Sequence, residues 1–267
     1  MHWRVLVARH PDDRGMRLAL GQALAWSDAA AEAEPLLDAL LAEAPGDSAV
    51  RALLRGVRGQ LEPTPEVAAR WVAEDPDYLP FRIGYARALD RTGRSDADAW
   101  DRVLADTATV ALLSEAAGSA AAIPDSVRSA SLLGRAVAMA PADRSLRERW
   151  AEALAWSGDR PGAIREYGVL IAARDDAKLR LARGRLLVWE GSLRAGEADL
   201  ERSAELAPTY EAFALLGDLL RWRGDYTAAR SMYMQALALR PGDEAVMASL
   251  VATRDAERLA RAASVAS

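Results

Sequence analysis

The chain has 267 residues, 51% hydrophobic and 27% charged, with both signs interspersed and a net charge of −5. Such a composition belongs to a globular chain, one large domain or two ordinary ones, and it lacks the basic stripe that nucleic acid requires. The absence of cysteine excludes disulfides and thiolate metal sites, and no apolar run approaches the roughly 18 residues of a membrane span. Lys178 is the only lysine and asparagine is missing, so the arginine- and alanine-rich composition points to a GC-rich, bacterial genome.

The first residues, MHWRVLVARHPDD, form no signal peptide; export would require a targeting segment outside this chain. Trp3, Val5, Val7 and Pro11 read as the end of a second helix without its own first helix. Residues 1–13 are therefore either a lone capping helix or a partial repeat cut from a longer chain. Gly21, Trp26, Ala33 and Pro45 then open a pattern that recurs along the sequence. Residues 45–78 keep Gly59 and Pro76, with Thr64 and Pro65 opening a second helix, and residues 79–112 keep Ala86 and Gly93, with Trp100 in the second helix. Residues 110–143 retain chiefly Pro141 and the small-residue run AAGSAAAIPDS, which predicts a loosened or kinked joint over 113–125.

From residue 144 the pattern sharpens. Ser145 and Glu148 suit a capping box. Ala151, Trp156, Gly158, Ala163 and Tyr167 follow, with Asp175 where other units place a proline. A shift of 33 residues gives Gly184, Trp189, Gly191, Ala195, Leu200 and Pro208. The clearest unit is 210–243, where Phe213, Leu216, Gly217 and Leu220 form one apolar helical stripe, followed by Ala229, Tyr233, Ala236 and Pro241. Gly217 and Ala229 are small, as a close helix crossing demands. Gly224 is placed to end the first helix in a left-handed cap, Asp225 to cap the second, and Pro241 to stop it. Residues 243–262, with polar AERLARA, predict a terminal helix covering the last face.

The spacing of Phe213, Leu216, Gly217, Leu220, Ala229, Tyr233 and Pro241 resembles the tetratricopeptide repeat. The resemblance implies an all-α, right-handed superhelix of about seven helical hairpins with a C-terminal capping helix. Residues 14–143 are units one to four, degenerate in the middle; 144–243 are units five to seven, well matched; and 244–267 are the capping helix and a frayed tail. In a stack of such units stability is a sum of unit and nearest-neighbour terms.

Within each well-matched unit, 100° per residue puts the tryptophan opposite the apolar stripe. The polar lines ending in it are Glu148–Glu152–Trp156, Lys178–Leu181–Arg185–Trp189 and Glu211–Ala214–Asp218–Trp222. The resemblance implies that first helices line a concave surface, so that Trp156, Trp189 and Trp222 form a ladder flanked by Glu148, Glu152, Lys178, Arg185 and Asp218. A tryptophan repeated in every good unit is, however, more often framework, packed across the junction to the next unit, and Arg185 would then merely stack on Trp189.

Both histidines, His2 and His10, lie in the N-terminal segment, which argues against a histidine-based acid–base site or triad. A zinc site would have only carboxylates besides them, and no Gly-rich nucleotide motif is present. Carboxylate pairs such as Asp12–Asp13 and Asp175–Asp176 read as caps and solvated faces. The expectation is therefore a non-catalytic scaffold, without cofactor or metal, that binds a peptide or protein partner, as a monomer or homodimer. The alternatives are a saccharide-binding module and a non-catalytic part of a larger protein. The W-x-G turn looks like the periplasmic tetratricopeptide regions of bacterial exopolysaccharide-export and outer-membrane proteins, which implies a periplasmic setting; a cytoplasmic one is the alternative. A chaperone-type carboxylate clamp, which relies on Lys and Asn, does not fit this composition.

Overall fold

The structure, a computed structural model, describes residues 2–27, 29–122 and 125–266, and among them every regular element is an α-helix. In chain order these are α1 (His2–Arg9), α2 (Arg14–Ala25), α3 (Ala30–Glu43), α4 (Ser48–Arg58), α5 (Pro65–Glu74), α6 (Leu79–Arg91) and α7 (Ala97–Asp106). They continue with α8 (Val110–Ala122), α9 (Ser126–Met139), α10 (Arg144–Ser157), α11 (Arg160–Ala173) and α12 (Ala177–Trp189). The last four are α13 (Leu193–Leu206), α14 (Tyr210–Trp222), α15 (Tyr226–Leu239) and α16 (Glu244–Ala266). The chain divides into two compact units, Met1–Leu112 and Leu113–Ser267.

Most helices start on a side-chain cap. The carboxylates of Asp13, Asp47, Asp96, Asp125, Asp143, Asp159, Asp176 and Asp225 each accept a first-turn backbone N–H, and Thr64 and Thr209 do so through their hydroxyls. An acceptor there satisfies one of the four orphan donors of a helix start and favours the positive end of its dipole. The abundance of aspartate in the turns thus has a structural cause. α10 is capped by Asp143, which accepts from Leu146 N at 2.9 Å. Ser145, expected to cap, sits inside the first turn instead, so the Ser145–Glu148 box does not form.

In the first unit α1 packs on α2, and α2 on both α3 and α4. The core joins Leu24, Ala33, Leu37, Leu40, Val50, Leu54 and Val57. Arg58 is buried at its edge, bonded to Glu34 (3.0 Å), Asp38 (2.8 Å) and Glu74 (2.7 Å), with its guanidinium 5.3 Å from the Trp71 ring. Trp100 is buried too, and its indole N–H donates to Asp90 at 2.9 Å.

In the second unit successive helices from α9 to α16 pack in order, and the first helices α12 and α14 also touch one another, as do α14 and α16. α16 covers the exposed side of α15 with Val246 and Leu250, closing the cluster of Phe213, Leu220, Ala229 and Tyr233. The glycines explain how closely the hairpins fit. A methyl group on Gly217 would lie 2.6 Å from the Tyr233 ring. At the place equivalent to Ala229 one repeat earlier, the small residue is Gly196, not Ala195 as the sequence pattern suggested. Ala195 is exposed, whereas a methyl on Gly196 would meet Val188 at 2.7 Å. A register of 33 residues through Ala163, Gly196 and Ala229 is the one the crossings obey.

The joint predicted over 113–125 is described only in part. Residues 113–122 continue α8 as regular helix, because alanine and leucine, the best helix formers, dominate the run; residues 123 and 124 lie outside the described residues.

Candidate functional site

Each repeated tryptophan stands in the last turn of a first helix. α10 ends at Ser157 with Gly158 at φ 90°, α12 ends at Trp189 before Gly191 at φ 79°, and α14 ends at Trp222 before Gly224 at φ 84°. The left-handed glycine turns the chain sharply into the second helix, which leaves the indole projecting at the helix end. Trp156 is 82% exposed, Trp189 58% and Trp222 63%; Trp26 of the first unit is 81% exposed. The framework expectation is corrected by these values, since none of the four indoles belongs to a core. The reason is angular: the buried stripe Phe213, Leu216, Gly217 and Leu220 fills the opposite side of the helix. The indoles at buried positions are those of Trp71 and Trp100.

The polar candidates divide into two groups. Asp218 is tied into its own hairpin, accepting the Tyr233 hydroxyl at 2.7 Å, while Arg221 donates to the same hydroxyl oxygen at 3.3 Å. Arg185 lies over Trp189, its guanidinium carbon 5.5 Å from the ring centroid, and Arg160 from the next helix back lies at 5.8 Å. Glu148 and Glu152, one turn apart on α10, form no ion pair among the described residues, and neither does the exposed Lys178. The Glu152 carboxyl is held above its ordinary range, first by desolvation and then by the charge of Glu148, with Arg149 opposing. Glu148, Glu152 and Arg185 are all felt by the buried Tyr167 hydroxyl, which burial above all pushes up to about 12.

Beside Glu152 and Trp156 the second unit has an open groove of about 540 Å³. Its floor is Ala117, Gly118 and Ala121 of α8 with Ser129 of α9, and α10 supplies the wall. A methyl group added at Gly118 would meet nothing within 4 Å, so the small residues here leave open space instead of serving a close crossing. Sequence reasoning singled out Glu152 and Trp156 but missed the groove. The small-residue run that forms it was visible, yet it was read as a joint. Among the described residues no helix is long and apolar enough to cross a membrane, and no group of three or more His, Asp or Glu side chains gathers as metal ligands.

Successive hairpins of paired helices, each with an exposed indole at the end of its first helix, define a helical-repeat architecture. Residues 5–56 match the family model described as tetratricopeptide repeat. No curated protein matches the sequence. Among solved structures it is similar to YrrB, described as a tetratricopeptide protein with an unusual peptide-binding site, at TM-score 0.55 and 16% identity, covering 72% of this chain and 100% of YrrB. It is likewise similar to two structures of MamA, at TM-scores 0.53 and 0.52 and identities of 14% and 18%. These alignments cover 56% and 58% of this chain and 83% and 93% of the MamA chains. At such identities the likeness is one of fold.

Proposed function

We propose that the chain is a non-catalytic scaffold that takes a peptide or protein partner on the first-helix face of residues 113–267. The observation that carries this reading is the exposure of Trp156, Trp189 and Trp222 at equivalent positions on α10, α12 and α14. Exposed tryptophan is costly to leave in water and is prominent among interface residues that dominate binding energy, as is arginine. Here the guanidinium groups of Arg185 and Arg160 both lie within about 6 Å of the middle indole ring. The peptide-binding description of YrrB, a protein of the same fold, points the same way. The aspartates of this unit are engaged in structure: Asp159 and Asp176 as caps, Asp175 with Arg180 and Arg202, and Asp199 with Arg180 and Arg183.

A second reading rests on the same exposed rings, because indole faces also stack on sugars. Saccharide binding would suit a bacterial, periplasmic setting. The two are separated by selecting a displayed 12-residue peptide library against the whole chain and, in parallel, titrating neutral and acidic polysaccharides while following tryptophan fluorescence. Selected peptides that bind the chain, and lose that binding when Trp156, Trp189 and Trp222 are replaced by Ala, uphold the scaffold reading. Saturable responses to glycans alone overturn it in favour of the saccharide.

A further inference from the structure

The groove beside α10 has a chemistry that narrows what the proposed partner presents to it. Three observations converge. First, the floor of Ala117, Gly118 and Ala121 leaves about 540 Å³ of open space, within the range of small ligand pockets. Second, Trp156 stands at its wall and is 82% exposed. Third, Glu152 lines the same groove without an ion-pair partner, and Glu148 stands one turn away, also unpaired. The remaining charged residue of the lining is Arg149, whose guanidinium donates to the Ser114 carbonyl oxygen at 3.1 Å and forms no ion pair with Glu152 among the described residues.

An exposed indole next to an unpaired carboxylate is the combination that holds a cation. The ring quadrupole attracts positive charge at its face, and the carboxylate accepts a charge-assisted hydrogen bond. An acidic group would meet the Glu152 carboxylate at the indole face, and a purely apolar one would desolvate Glu152 without compensation. Elsewhere in the second unit carboxylates such as Glu166 and Asp199 already have arginine partners, at 2.5 Å from Arg147 and 2.5 Å from Arg183, whereas Glu152 has none among the described residues.

Resting on the scaffold reading, we propose that the groove between α8, α9 and α10 is a subsite for one basic side chain, lysine or arginine, of the bound peptide or protein segment. Its aliphatic stem lies along the alanine and glycine floor, and its charged head sits between Trp156 and Glu152. The volume exceeds that of a single side chain, so apolar neighbours in the segment share the floor.

The test uses the whole chain and peptides selected from the 12-residue library. The expected result is that they carry a common lysine or arginine. Replacing it by acetyl-lysine or citrulline, which keep the stem and remove the charge, weakens binding about tenfold or more, the scale of a charge pair lost from an interface. Glu152→Gln weakens the same peptides by a similar factor without lowering the unfolding midpoint, and Gly118→Leu, which fills the groove, abolishes binding. Should Gly118→Leu unfold the chain, the Glu152→Gln and citrulline measurements decide. Affinity indifferent to both charge removals overturns the proposal. If those indifferent peptides still require Trp189 and Trp222, the scaffold reading stands and only the subsite falls. If no peptide binds at all, both fall. Concentration-dependent self-association in sedimentation velocity that Gly118→Leu dissolves makes the occupant a second copy of this chain, and the partner-segment proposal is then wrong.

Discussion

The Tyr233 hydroxyl donates a 2.7 Å hydrogen bond to Asp218 Oδ1, joining the two helices of one hairpin through a residue that sequence spacing assigned to the binding face. Tyr233 is 1% exposed and its ring also fills the notch at Gly217. Asp218 is thereby a hairpin clasp. Removing the hydroxyl in Tyr233→Phe keeps the ring and takes away a bond to a carboxylate, so urea unfolding should show a loss of about 1.5–3 kcal/mol. Asp218→Asn, which keeps an acceptor oxygen, should lose less, and neither variant should change affinity for selected peptides by more than about twofold. A large affinity loss in a stable Asp218→Asn variant would return Asp218 to the binding face.

The glycines fall into three kinds, and alanine substitution separates them. Gly191 and Gly224 have positive φ, where alanine is strained at about 1 kcal/mol or more. Gly217→Ala drives a methyl into the Tyr233 ring and should cost about 1–3 kcal/mol. Gly118→Ala, inside α8 with open space around it, should stabilise by about 0.5–1 kcal/mol through helix propensity alone. Melting temperatures of the variants should rank Gly118→Ala above wild type and the others below it; a destabilised Gly118→Ala would mean that the groove floor is packed.

Glu152 gives a pH dependence with a definite sign. Its folded-state pKa is raised, so the folded chain holds this proton more tightly than the unfolded chain. Stability on its account is greatest below the ordinary glutamate value, about 4.3, and falls as pH rises through that value towards the raised one. Glu152→Gln removes the effect. The stability difference between variant and wild type should therefore grow in the variant's favour from pH 4 upward and level off near neutrality. A difference that stays flat would show the carboxylate to be solvated.

Tyr167 and Tyr233 act at the other end of the scale, both pushed up to about 12, chiefly by burial. Between pH 10 and 12 the unfolded chain ionises these hydroxyls and the folded chain does not, so stability falls across that window. Tyr167→Phe should flatten the decline in a pH series of thermal unfolding. Absorbance at 295 nm should show two tyrosines that ionise only near pH 12 or on unfolding.

The fold was legible because its signals are local and periodic. Phe213, Leu216, Gly217 and Leu220 at one helical spacing, closed by Gly224 and Pro241, determine a helical hairpin without any long-range contact. The caps were less legible. Asp143 and Ser145 are both good cap residues, and only the backbone geometry of residue 143 chooses between them. Gly196 was lost because a neighbouring alanine also fits a small-residue position when the count slips by one. Of the candidate site, the angular argument placed Trp156, Trp189 and Trp222 opposite the apolar stripe, but how much of each ring stays uncovered depends on neighbouring hairpins. The groove was invisible for the same reason: AAGSAAA is equally compatible with a tight helix crossing and an open floor, and the difference lies in what packs opposite Gly118.

The central claim is that the repeated tryptophans serve a ligand and not the framework, and one pair of readings on one set of samples tests it. Trp156, Trp189 and Trp222 are replaced together by Ala, and both the urea unfolding midpoint and the affinity for selected peptides are measured. With side chains already 58–82% exposed, the variant should lose no more than about 1–2 kcal/mol in total while binding falls below detection. A loss of about 3 kcal/mol or more per ring, the cost of truncating a buried aromatic, or full affinity in a folded variant, would contradict it.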